Sequence, residues 1–267
     1  MVTVLRPLST SELLDRTFHL YRNNFVVFVT IAAIPQLAVL ALQLLIARLA
    51  LGNIPGEIGL WSLPVSLLSL VCVGVSEAGT VVAVSNVHLD HPVSVWESFR
   101  AIRGSIGRVV WVSFAISWII GFGLILLIIP GIYWALKYAL AIPVTVLEGS
   151  DLAATRERSG YLTQDRMGRI FVIYALLLLL TFVVGTCIDM AFRLGTPWHV
   201  DVTFTALRYT LAALSNFLSS SLVTPLLTIA LTLIYYDERV RKEGFDLQLM
   251  MSTLEGQPHS VAAAPAS

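Results

Sequence analysis

Residues 25–51 read FVVFVTIAAIPQLAVLALQLLIARLAL, an apolar run of 27 residues interrupted by one charge, Arg48. A bilayer core of roughly 30 Å is crossed by about 20 helical residues, and inside it every backbone N–H and C=O needs a partner from its own segment. A run of this length and character therefore predicts a membrane-spanning helix. Five further runs follow at 61–87, 109–129, 132–147, 170–188 and 209–236. The expected fold is all-α: a polytopic membrane protein of six transmembrane helices forming one domain over residues 1–255. Residues 256–267, GQPHSVAAAPAS, have nothing to bury and are expected to be a disordered tail.

Composition narrows the classes further. Hydrophobic residues make up 57% of the chain, charged residues 13%, and the mean hydropathy is +0.81, all outside the range of soluble domains. Seventeen basic residues balance 17 acidic ones, so no net charge draws the protein to nucleic acid. Cys72 and Cys187 both fall in apolar runs and read as small buried hydrophobes, not as a disulfide or a thiolate metal site.

The distribution of basic residues sets the orientation, because Lys and Arg near span ends stay on the cytoplasmic side. Thirteen of the 17 lie in the N-terminal arm, the second and fourth loops and the C-terminal segment. Arg48, Arg193 and Arg208 lie in the alternate loops, and Lys137 lies within a span. Both termini are thus expected in the cytoplasm, with the protein in the cell's inner, cytoplasmic membrane. The 24 residues before the first run do not have the form of a cleaved signal sequence, so the N-terminus is expected to be retained.

Three of the cytoplasmic segments share a design. In SELLDRTFHLYRNNF, Ser9 and Glu12 make a possible capping box, and Leu14, Phe18, Tyr21 and Phe25 form one apolar face, the pattern of a helix lying in the membrane interface. VWESFRAIRGSIGRVV and ATRERSGYLTQDRMGRIF repeat the plan, each passing through Gly-Arg at Gly107-Arg108 and Gly168-Arg169 into the next span. The chain reads as three copies of an interfacial helix plus a transmembrane hairpin, closed by Asp90, Glu148 and Asp237.

Two charges lie inside spans. In LIIPGIYWALKYALAIPVTVLEG, Pro130-Gly131 is the expected turn at the outer surface, which leaves Lys137 about 9 Å along its helix, either snorkelling back to the interface or serving a function. Glu77 falls about 15 Å from the cytoplasmic end of its span, where a carboxylate must face protein or water. It is expected to be hydrogen-bonded to a neighbouring helix. Ser62, Ser66, Ser69, Ser76 and Thr80 share a helix face beside it, and Asn216, Ser220, Thr224, Thr228 and Thr232 recur at every fourth position of the sixth span. Such stripes serve close helix packing or line a hydrated pathway. Glu77, Lys137, Asn216, Ser220 and Thr224 are the candidate polar interior.

Pro35, Pro143 and Pro225 lie within spans, where they kink helices and release carbonyls. His88, Asp90 and His91 share one short loop without a further ligand cluster, so neither a metal site nor a cofactor is expected. No Gly-rich phosphate loop, nucleophile elbow or HExxH is present in the sequence.

ELLDRTFHLYRNNF, IIPGIYWALKYALAIPVTVLEG, ATRERSGYLT and IYYDERVRKEGFDLQL together resemble a group of bacterial and archaeal membrane proteins over residues 5–250. Their shared domain is called the glycerophosphoryl diester phosphodiesterase membrane domain. In part of that family it is fused to a soluble phosphodiesterase with His-Arg-Gly and Glu-x-Asp metal-site elements. Neither element occurs here, so the resemblance implies a stand-alone membrane domain without that catalytic activity. The last of these motifs carries Asp237, Glu238, Arg239, Arg241, Lys242 and Glu243, whose mixed signs favour ion pairing within the protein over lipid binding. Arg156 or Arg158 is expected to meet Asp237 or Glu238, with Arg239 in the same network.

Three functions remain after this reading. The first is lipid or small-solute binding and transport through a polar bundle interior. The second is a non-catalytic scaffold or regulatory module that docks a partner protein or a second copy. An intramembrane enzyme has the least support, because no nucleophile and base fall at a spacing that brings them together. Membrane lipids are the expected partners in each case.

Overall fold

A computed structural model describes residues 9–50, 62–88, 92–193 and 202–244. These residues form α1 (Thr10–Asn23), α2 (Phe25–Ala50), α3 (Ser62–His88), α4 (Val95–Ile102), α5 (Ile106–Leu126), α6 (Ile128–Lys137), α7 (Ala141–Glu148), α8 (Leu152–Thr163), α9 (Met167–Arg193) and α10 (Val202–Glu243), with no strand among them. Six segments of the described chain are long and apolar enough to cross a membrane: Phe25–Arg48, Leu63–His88, Ile106–Leu126, Ile128–Glu148, Met167–Phe192 and Leu207–Glu243. The protein is an all-α, multi-pass membrane protein, as its apolar runs require. The expected C-terminal tail and Asp90 lie outside the described residues.

The fourth span departs from expectation twice. Its turn lies at Leu127, in extended backbone (φ −158°, ψ 137°), and not at Pro130-Gly131, which sit inside α6. With Leu127 as the cap, Pro130 falls in the first helical turn, where an N–H would have no intrahelical acceptor, so its ring breaks nothing. Gly131 then serves close packing: a Cβ there would stand 2.7 Å from the Leu124 backbone nitrogen, and one at Gly123 would meet Trp134. The same span is also broken at 138–140, between α6 and α7. The sixth span overruns its expected end at 236 as continuous helix to Glu243, held by Asp237–Arg241 (3.0 Å) and Arg239–Glu243 (3.1 Å) pairs one turn apart.

The capping box of α1 is present, with the Ser9 and Glu12 side chains each accepting from the other's backbone N–H. Its bundle-facing stripe, however, is Leu13, Thr17 and Leu20, one residue displaced from the predicted one. Phe18 and Phe25 of the predicted stripe point outward. One residue is about 100° of helix rotation, so the outward stripe remains available to lipid while the inner one packs on α10, α2 and α9.

The three short helices occupy equivalent places. Each precedes a hairpin (α2/α3, α5/α6–α7, α9/α10), and each lies on the second leg of the preceding hairpin: α4 on α3, α8 on α7, and α1 on α10, which closes the order into a cycle. Small buried hydroxyls permit the approach. Thr17, Ser98 and Thr163 turn back to carbonyls of their own chain at 2.8, 3.0 and 3.0 Å, so they pack as nearly apolar groups.

Each intraspan proline has a hydroxyl beside it from another helix. Ser76 donates to Ala32 O (3.2 Å), three residues before Pro35, and Tyr21 donates to Leu222 O (2.5 Å), three residues before Pro225. At the break before Pro143, Ala141 N bonds Tyr138 O, not the Lys137 carbonyl that a regular helix would offer it. Ser159 of α8 donates to that released carbonyl (2.8 Å), and the Thr163 hydroxyl, which donates to Ser159 O, lies 3.3 Å from it as an alternative donor. In lipid an opened carbonyl needs such a partner.

Candidate functional site

The break in the fourth span borders an internal cavity. About 180 Å³ in volume, it lies among α3, α5, the α6–α7 break, α9 and α10, and its polar lining is Glu77, Ser113, Ser117, Tyr138, Tyr174 and Thr228. Glu77 is half-buried and faces this space. The expected hydrogen bond to a neighbouring helix is not formed, since no described residue hydrogen-bonds it. Ser113 Oγ on the facing wall is buried and without a described partner. Liquid water takes about 30 Å³ per molecule, so the cavity holds a few waters or a small polar guest.

A second cavity of about 330 Å³ joins α2, α3 and α10 through Gln36, Gln43, Ser66, Ser69, Asn216 and Ser220. Val73 lines both cavities. The two polar stripes thus meet over their first turns, at Ser66 and Ser69 on α3 and Asn216 and Ser220 on α10. Thr224 lines neither cavity. Thr232 is fully buried and bonds back to Thr228 O at 2.7 Å, which is packing. Gln36 and Gln43, seven residues apart in a largely apolar helix, are the members that the sequence reading missed, and that spacing was the available signal.

Lys137 joins neither cavity. It ends α6 ten residues after the Leu127 turn, about 15 Å along the helix, and lies over Gly160 of α8, where an added Cβ would stand 3.0 Å from its Cε. It is therefore not an anchor reaching back to the Pro130-Gly131 surface. It lines a pocket of about 630 Å³ with Arg156, Glu157 and three tyrosines, and Tyr138 stands between this pocket and the Glu77 cavity.

The ionic cluster forms, with different partners. Asp237 and Glu238 are buried, and the loop-four arginines that reach them are Arg169, close to Asp237 and 3.7 Å from Glu238, and Arg166, 3.8 Å from Glu238. Arg158 pairs instead with Glu148 (3.0 Å) and Glu243, and the Glu243 bond holds its guanidinium still more firmly protonated than usual. Arg156 bonds Tyr138 Oη at 3.4 Å, and Arg239 bonds Glu243 and Tyr235 Oη. The reason is position: α10 continues as helix past 236, so its first acids face the start of α9 while Glu243, about one and a half turns on, reaches α8. Tyr235 also donates to Glu148 (2.8 Å), and Tyr236 is hydrogen-bonded to Ser85 (2.7 Å) and stacks on His88 at 4.8 Å. His88 is thus packed against an aromatic ring and 3.2 Å from Arg16, while Asp90 and His91 lie outside the described residues. Cys72 is buried, but Cys187 faces outward.

The arrangement offers carboxyl, hydroxyl and amide groups for binding, enclosed by apolar helices. A comparison with family models, curated proteins and solved structures finds no match for this chain.

Proposed function

We propose that this protein binds, and passes across the cytoplasmic membrane, a small polar solute or a lipid-derived molecule through the interior of its helix bundle. The observation that carries the reading is the Glu77 cavity, which the carboxyl lines with no hydrogen-bond partner among the described residues and beside which the Ser113 hydroxyl is buried and likewise unpartnered. Buried polar groups left so by the protein are satisfied by water or ligand. The cavity of glutamine, asparagine and serine that shares Val73 extends the polar space along the bundle. We further propose that both termini face the cytoplasm, as the 13-to-3 split of basic residues supports, and that the chain is a stand-alone membrane domain similar to that named above.

Native mass spectrometry of the wild type and of Glu77→Gln, purified side by side in mild detergent, tests the binding. A defined small molecule held by the wild type and lost from the variant supports it. Bulk lipid alone in both would make Glu77 a packing residue and sink the reading. A scaffold that docks a partner is the second reading, favoured by the outward aromatic side chains of the short helices, Phe18 on α1 and Trp96 on α4.

A further inference from the structure

We propose that the pocket between α6, α8 and the start of α9 binds a phosphate, that of an anionic phospholipid headgroup, with Lys137 and Arg156 as its cationic ligands. The site is distinct from the Glu77 cavity, and the proposal does not depend on it.

Two cations are gathered there with no carboxylate paired to either. Lys137 Nζ lies 5.9 Å and Arg156 Cζ 5.7 Å from the centre of the same Tyr138 ring, and Lys137 is also 6.0 Å from that of Tyr133. Neither has a carboxylate within 4.0 Å among the described residues. Around them Arg158, Arg166, Arg169, Arg239, Arg241 and Lys242 all have one. Glu157 is on the pocket wall but pairs with neither cation, so the lining keeps a net positive charge. Like charges held over one ring repel, and an anion between them relieves the repulsion. The ring contacts leave the Lys137 N–H donors unused, and Arg156 spends one of its five on Tyr138 Oη (3.4 Å), so donors remain for an oxyanion alongside the hydroxyls of Tyr133 and Tyr161.

Size and surroundings select the source. About 630 Å³ is the scale of a headgroup-sized ligand. One helical turn from Tyr133, Ile129 is exposed, as is Ile132, and one turn beyond Met167 so is Phe171. These outward apolar residues of α6 and α9 offer acyl chains a surface directly beside the phosphate site. Gly160 supports the geometry, since its missing side chain lets the lysine stem lie along α8.

The full-length protein, exchanged into equimolar phosphatidylglycerol and phosphatidylcholine, is analysed by native mass spectrometry for retained lipid. The wild type should keep phosphatidylglycerol in preference. Lys137→Met and Arg156→Gln should each lower that preference about fivefold. Lys137→Arg should retain it, and so should Arg103→Gln, an exposed arginine outside the pocket. Binding of inorganic phosphate that needs both cations, with equal retention of the two lipids, would keep the phosphate site and overturn its assignment to lipid. A double variant that elutes and melts like the wild type yet keeps its full preference overturns the proposal. So does a wild type with no preference and no phosphate binding.

Discussion

Tyr21 carries a hydrogen bond that its place on a predicted apolar stripe did not announce. Its hydroxyl donates to Leu222 O, three residues before Pro225, so Tyr21→Phe is expected to destabilise the protein by about 1 kcal/mol, read by reversible unfolding in mixed micelles. Burial pushes this hydroxyl from 10.0 up to about 12. The folded protein thus keeps a proton that the unfolded chain loses. Its contribution is whole below pH 10 and is lost as pH rises towards 12, so the gap between wild type and Tyr21→Phe should close over that window. Unfolding curves that stay equally far apart at both ends of it would contradict the assignment. Ser159→Ala, which strips a partner from the Lys137 carbonyl at the span break, should likewise cost about 1 kcal/mol, and less where Thr163 takes over the acceptor.

The helices α9 and α10 run past the apolar runs 170–188 and 209–236 that announced them, whereas α2, α3 and α5 read from the chain to within three residues at each end. The fourth span did not, because Pro-Gly signals a turn in sequence but is equally at home in the first turn of a helix. What placed the turn at Leu127 was the contact of Gly123 and Gly131 across the α5/α6 hairpin, which is a pairing between helices. Gly131→Ala should therefore be destabilising by about 1–3 kcal/mol, since the added methyl meets backbone, whereas Gly121→Ala, with open space around it, should be neutral or slightly stabilising. Equal melting temperatures for the two variants would remove the close-packing account. Similarly, the seven residues by which α10 outruns its expected end, 236 against 243, were enough to exchange the partners of the charged cluster, because Glu, Arg and Lys continue a helix as readily as Leu does.

Across the bundle, the described ends of α1, α3, α7, α8, α9 and α10 are tied through Tyr235, Tyr236, Asp237 and Glu238. Arg169 is the cation most enclosed in that knot, with its side chain 12% exposed against 1% for Asp237. Arg169→Met leaves buried Asp237 to Arg241 and buried Glu238 to the more distant Arg166, and is expected to cost about 3 kcal/mol. Arg158, with its side chain 26% exposed, sits nearer water, and Arg158→Met should cost about 1 kcal/mol or less, an effect that shrinks as salt is raised. A salt titration of unfolding in both variants checks the contrast. If Arg158→Met proves the more damaging, the knot is centred on Glu148 and Glu243 and not on Asp237.

Class, span number and the three-unit plan were written in the chain, since each follows from length, apolarity or the recurrence of a short amphipathic helix, all of which are local. The surroundings of Glu77 and Lys137 and the partners of Arg158 were not. Which face of a span meets which neighbour depends on helix rotation, and a single residue of offset turns a side chain by about 100°. That rotation is fixed by packing at glycines and buried hydroxyls far apart in sequence, so the cavities, the phosphate pocket and the ionic knot exist only once the helices are brought together.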